Sequence, residues 1–359
     1  MGARAGWNSA TISTPEAELN RQGMFRTSIT RRALVSFGLG TLVGLPLRGL
    51  AREGDDPTAA APPLTDVVRH PLLVRSLYHL SVTDNFNPDG AAGANRKGYR
   101  WIEEQRQGVE WVLRGRVEGH PDWIARGWQQ LDWGLSRQQG DGGFGSKDPF
   151  HSTSFFIEAL ARSCILDPEG ANAARLEGLA RGAHWLMRTD IEGRGAKGNL
   201  PYTHRRYILA AAFGQSAQVT GVAAFRNKAV EWAQQGLALQ RPDGTNPEKG
   251  GYDAGYQMVG VLMSLRYLPV CKDPQLRARL RAMVRTAIPL ELARRRPDGS
   301  IDPAGSTRIE KEHARNGKTK DVPYAEVMQA LVYGAQEVPQ PAWLEPAQRI
   351  AVYRRWMKS

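Results

Sequence analysis

From about residue 100 onward, the chain alternates two kinds of helix-length segment. One kind is apolar or small on every side, as in residues 208–213 (ILAAAF) and 258–265 (MVGVLMSL). A helix with no polar face must be buried all round. The other kind is amphipathic: in residues 276–285, Arg277, Arg279, Arg281 and Arg285 interleave with Leu276, Leu280, Met283 and Val284. Strand-period alternation is nearly absent. The pattern predicts pairs of helices, one buried and one half-exposed, repeated along the chain.

The loops keep the same rhythm. Asp89, Asp141, Asp190, Asp243 and Asp298 each sit in an acidic, glycine-containing loop, at spacings of 52, 49, 53 and 55 residues. Single Asp-Gly turns are common, but a fixed period marks a repeat architecture. Connections from a buried helix to its amphipathic partner are short, and those leading to the next buried helix are long. Alternating helix direction then places every long loop on one rim. The expected fold is all-α, an α/α toroid of about five to six helix pairs spanning residues 64–359, with an inner ring of buried helices inside an outer ring.

The first fifty residues read differently. Thr30-Arg31-Arg32-Ala33-Leu34 precedes an uncharged apolar stretch ending in small residues at Gly49-Leu50-Ala51. This resembles a twin-arginine export signal. The apolar stretch is too short for the roughly 20 residues a membrane-spanning helix needs. Residues 1–51 are thus expected to be a removable signal and 52–63 a linker, with the mature protein periplasmic or secreted and not inserted in a membrane.

Composition changes the picture only modestly. With 41% hydrophobic and 23% charged residues the chain is globular. Residues 1–51 hold six Arg and two Glu, so their removal lowers the net charge from +12 to +8. A basic exported protein suits an acidic polysaccharide better than nucleic acid. Cys164 and Cys271 give neither a disulfide framework nor a metal spacing, and no cofactor motif is present.

Long loops converging on helix N-termini are where function concentrates. Aligned at the inner-helix starts, the repeats contribute His151, then Asn199, Tyr202, His204, Arg205 and Arg206, then Tyr252, Asp253, Tyr256 and Gln257. Asp253 is also a natural helix cap. Asp141 in its turn and Arg308 and His313 in the longest loop complete the candidate binding set.

These residue types and the helix-pair architecture resemble the α/α-toroid carbohydrate-active enzymes, most of all the polysaccharide lyases of the alginate and hyaluronate type. The resemblance implies β-elimination on a uronate-containing chain. Asn or Arg would neutralise the carboxylate and His or Tyr would move protons. By type, His204, Tyr256, Asn199 and Arg206 are the expected catalytic set. An inverting glycoside hydrolase is the alternative, drawing on Asp84, Asp141, Asp253, Asp302 and Glu326. A further alternative is a non-catalytic glycan-binding toroid, with Trp101, Trp111, Trp123, Trp128 and Trp133 as stacking platforms. The segment QQGDGGF also resembles the repeats of terpene cyclases, but the chain lacks their Asp-rich motifs.

Overall fold

The computed structural model of the protein describes residues 69–77, 87, 89–92, 102–313 and 317–357. The expected signal and linker, Asp84 and Trp101 lie outside the described residues. Twelve α-helices run through the described part, with isolated bridges and no β-strand. After α1 (Pro71–Ser76), and a 3₁₀ turn over Ile102–Gln107, they form five pairs. These are α2 (Gly108–Glu118) with α3 (Pro121–Leu135), and α4 (Pro149–Leu166) with α5 (Ala173–Met187). Next comes α6 (Thr189–Asn199), which stands in a rim loop. The pairs α7 (Thr203–Thr220) with α8 (Ala223–Leu237), α9 (Tyr256–Tyr267) with α10 (Pro274–Leu292), and α11 (Tyr324–Glu337) with α12 (Leu344–Tyr353) follow.

Local chemistry sets the ends. Asp148 accepts from the His151 N–H and Asp273 from those of Gln275 and Leu276, each followed by a proline at the first helical position. Gly119 and Gly221 end α2 and α7 in the left-handed conformation. The inner helices α2, α4, α7, α9, α11 and α1 touch in that order, and each of the five pairs packs its outer helix behind its inner one. This is the α/α toroid read from the sequence. On α7 every residue from 207 to 213 is fully buried, so the all-round apolar pattern is an inner-ring signature. Trp111 and Trp128 are core residues rather than platforms, and both cysteines are buried and unpaired. No helix among the described residues is long and apolar enough to cross a membrane.

The periodic turns share one geometry. Asp89, Asp141, Asp243 and Asp298 each accept a hydrogen bond from the N–H two residues on, at 2.9–3.3 Å. The next residue, Gly90, Gly142, Gly244 or Gly299, has φ between +90° and +96°. A Cβ at Gly142, Gly244 or Gly299 would stand 2.5–2.6 Å from a backbone oxygen of the following outer helix, that of Arg181, Thr286 or Arg349. The turn therefore needs glycine twice over, for its backbone and for its contact.

Asp190 departs from the expected pattern. It lies in the first turn of α6, paired with Arg188 and Arg194. The residue after it is Ile191, buried and unable to take the left-handed conformation cheaply, so no Asp-Gly turn forms. The chain makes a short helix instead, laid so close to α4 that a Cβ on Gly195 would overlap the Phe150 ring.

Candidate active site

A cavity of about 620 Å³ opens among the inner helices, within the size range of small-molecule sites. Its walls follow helical stripes. On α9 they are Tyr256, Val259, Met263 and Arg266, and on α4 His151, Phe155, Glu158 and Ala159. Ten residues separate Tyr256 from Arg266, so at 1.5 Å per residue the stripe runs about 15 Å from rim to floor. The loop before α11 supplies Arg308, His313 and residues 318–321, and Arg205 projects from α7. Along the α4 and α9 stripes, apolar side chains thus lie between the polar groups at the mouth and the charges of Glu158 and Arg266 deeper in.

At the mouth, the Arg308 guanidinium lies 3.6 Å from the centre of the Tyr256 ring and 4.8 Å from that of Tyr202. Lys320 is 5.1 Å from the Tyr256 ring, and Arg205 stacks on Tyr202 at 4.4 Å. Such cation–ring contacts are worth about 0.5–2 kcal/mol each, more as water is excluded. Glu312 fixes this group, accepting from Lys320 at 2.6 Å and Arg308 at 3.2 Å and pairing with Lys249 at 2.5 Å. Partial burial opposes its charge, but the Lys249 and Lys320 ammonium groups outweigh that and bring its carboxyl down to about 2.

Asp253 holds the two sides together. Its Oδ1 accepts from the N–H groups of Gly255 and Tyr256, and its Oδ2 from those of Arg308 and Ile309. It is fully buried, so its position excludes direct contact with a ligand in the cavity.

The expected catalytic set is only partly gathered here. Tyr256 lines the cavity, as do His151, Arg205, Arg308 and His313 from the expected binding set. His204 does not: it packs behind Tyr256, with ring centres 4.9 Å apart, and is 1% exposed. Its Nδ1 is 2.7 Å from Glu248 Oε2, and its backbone N–H donates to Glu248 Oε1 at 2.8 Å. Burial, reinforced by the Arg308 and Arg205 charges, pushes the His204 pKa well below its ordinary value, and burial raises Glu248 to about 8. The imidazole is therefore uncharged at neutral pH and offers no cation to a substrate carboxylate.

Arg206 turns away as well. It donates to the carbonyls of Asn199 and Tyr202 at 2.9 and 2.8 Å and so clamps the α6–α7 corner. Asn199 is buried, its Oδ1 accepting from Arg205 at 3.3 Å. Gln257 bridges the Asn246 N–H and the Ala287 carbonyl, and Tyr252 donates to Glu291 at 2.8 Å on α10. Asp141 binds the Trp185 indole N–H and Arg188 on the outer surface.

Other wall residues carry chemistry that the sequence reading passed over. Carboxylates of Glu103, Glu110 and Glu158 line the cavity beside the foreseen Glu326, and Arg266 stands at the floor. The signal was present: Glu158 and Arg266 are charges inside otherwise apolar inner helices, where an unpaired charge is expensive. Among the described residues no group of three or more His, Cys, Asp or Glu is placed to hold a metal ion.

No protein-family model and no curated protein sequence matches the chain. Solved structures do match it by fold. The unsaturated glucuronyl hydrolase of Bacillus sp. GL1 aligns with a TM-score of 0.51 at 13% identity, over 80% of this chain and 83% of that one. An alpha-mannanase from Bacteroides thetaiotaomicron aligns at 0.52 and 12% identity, over 77% and 86%. A family 88 glycosyl hydrolase from Bacteroides vulgatus aligns at 0.53 and 10% identity, over 79% and 83%. At these identities the likeness establishes the shared toroid.

Proposed function

We propose that the protein is an exported enzyme that degrades an acidic, uronate-containing polysaccharide by β-elimination in this cavity. The observation that carries the reading is Tyr256 on the cavity wall with Arg308 3.6 Å above its ring and Lys320 and Arg205 alongside. The cations neutralise the uronate carboxylate and so acidify the neighbouring C5–H. His151, on the adjacent inner helix, takes the C5 proton, the C4–C5 double bond forms, the C4–O bond breaks, and Tyr256 gives its hydroxyl proton to the departing oxygen. Neither His204 nor Arg206 touches substrate in this scheme. Export rests on residues 1–51 of the sequence. The toroid shared with enzymes named for glycan breakdown, one of them for glycosaminoglycan, further supports a sugar substrate.

A second reading, inverting hydrolysis, is favoured by the wall carboxylates Glu103, Glu110, Glu158, Asp321 and Glu326. It needs an acid–base pair about 6.5–9.5 Å apart with water between. Incubation with acidic and neutral polysaccharides separates the readings. Elimination gives ultraviolet-absorbing unsaturated ends, whereas hydrolysis gives reducing ends without absorbance. Turnover of neither kind on any acidic glycan would overturn both.

A further inference from the structure

Arg266 ends the cavity-facing stripe of α9 and is the one charge between residues 258 and 267. Its side chain is 7% exposed, and its three nitrogens are unequally served. Nη2 donates to Gln329 Oε1 at 2.9 Å, Nη1 is 3.5 Å from Glu158 Oε1 and 3.9 Å from Met263 Sδ, and Nε has no partner. An arginine can only donate, so this contact turns the Gln329 oxygen toward it. That leaves Gln329 Nε2, also buried, without an acceptor.

One turn beyond Glu158 on α4, Arg162 is buried and donates to the Tyr333 hydroxyl. Burial lowers its pKa, and the charge on Arg266 lowers it further, while Glu158 and Glu110 oppose them. Two guanidinium groups thus face two carboxylates, and formal charge balances. Hydrogen bonding does not: the contact between Glu158 and Arg266, both of which line the cavity, is at the limit of a bond, while Arg266 Nε and Gln329 Nε2 lack acceptors but are closed off behind it. Buried donors without acceptors cost about 1–3 kcal/mol each, more when charged. A ligand that completes this floor brings acceptor oxygens, and a carboxylate answers a guanidinium best.

We propose that the cavity floor is an anion subsite in which Arg266 receives a carboxylate of an acidic sugar, apart from the cations at the mouth. This rests on reading the cavity as a site for an acidic glycan. With acceptors required about 15 Å from Tyr256 along α9, the ligand carries acidic groups at both mouth and floor, as a repeating uronate chain does.

Calorimetric titration of the full chain with glucuronate, glucose and inorganic phosphate tests this. Glucuronate should bind the wild-type protein at least tenfold tighter than either other probe. Arg266→Gln should weaken glucuronate at least tenfold. Glu158→Gln should tighten it, because it removes the carboxylate that competes for Arg266. Opposite changes in two floor variants are not produced by a general loss of packing, and thermal melts of both check folding. Unchanged glucuronate affinity in Arg266→Gln overturns the subsite, as does wild-type binding of glucose or phosphate as tight as that of glucuronate. If acidic glycans are cleaved while Arg266→Gln keeps full affinity, the subsite alone fails. If none is cleaved yet Arg266→Gln loses glucuronate, the subsite stands and the catalytic reading fails.

Discussion

Asp253 accepts the backbone N–H of Arg308 at 2.8 Å while its other oxygen accepts that of Tyr256 at 3.0 Å. A single buried carboxylate so sets the register between the start of α9 and the loop that roofs it. Replacing it with alanine would strand four buried N–H groups. Asp253→Ala should destabilise the fold by about 3 kcal/mol or more. Chemical denaturation checks this, and an unfolding midpoint within error of wild type would remove Asp253 from its anchoring role.

Tyr256→Phe tests the chemistry at the mouth. The ring and its contact with Arg308 survive, and only the hydroxyl is lost. Turnover of an acidic glycan should fall roughly a hundredfold to ten-thousandfold with the melting temperature unchanged. Retained turnover would move the proton transfers elsewhere on the wall.

His204→Phe tests whether His204 supports the site from behind or touches substrate. Since the imidazole packs behind Tyr256 and bonds to Glu248, its loss should lower stability by about 2–4 kcal/mol, leaving one oxygen of a buried carboxyl without its hydrogen-bond partner. The KM for glycan should change little. A stable variant with greatly raised KM would put His204 back in contact with substrate.

The architecture was legible because burial on all sides leaves its mark on every position of a helix, and a ring of equal pairs repeats that mark. The site was less so. At an inner-helix start, consecutive residues point about 100° apart. Of His204, Arg205 and Arg206, equally polar in the sequence, only Arg205 faces the bore, while the others bond to Glu248 and to the α6–α7 corner. Side-chain type suggested chemistry for all three, but direction depends on how α7 is rotated against its neighbours. Glu158 and Arg266 carried the better signal, a buried charge within a largely apolar helix.

Stability should fall as the pH rises from about 4.5 to about 8. Burial raises the Glu291 carboxyl to about 8. Between its unfolded value near 4.5 and that figure, the folded protein holds a proton that the unfolded chain has released. Stability from this group is complete below about 4.5 and is lost as pH rises toward 8, at roughly 1 kcal/mol per pH unit. Glu291→Gln should flatten that part of the profile, measured by urea unfolding from pH 5 to 8. An unaltered slope would assign the titration to another group.

Gly244→Ala should cost about 2–4 kcal/mol, since the new Cβ meets the Thr286 carbonyl and the backbone sits at φ +90°. Gly119→Ala, also left-handed but open to solvent, should cost only about 1 kcal/mol. Thermal melts of the two, compared with wild type, check the difference.

Those Asp-Gly turns give the ring two unequal faces. The Asp141, Asp243 and Asp298 turns each leave one outer helix and press the following glycine against a carbonyl of the next, stitching those neighbouring pairs side by side on the mouth face. On the opposite face the short connections, such as that between α7 and α8, join only partners within a pair. New chain termini or inserted domains are therefore tolerated on the far face, where a break leaves the stitching whole. On the mouth face, the same cut unties two pairs at once. The long segments between stitches can then change what they present to a ligand without loosening the ring beneath.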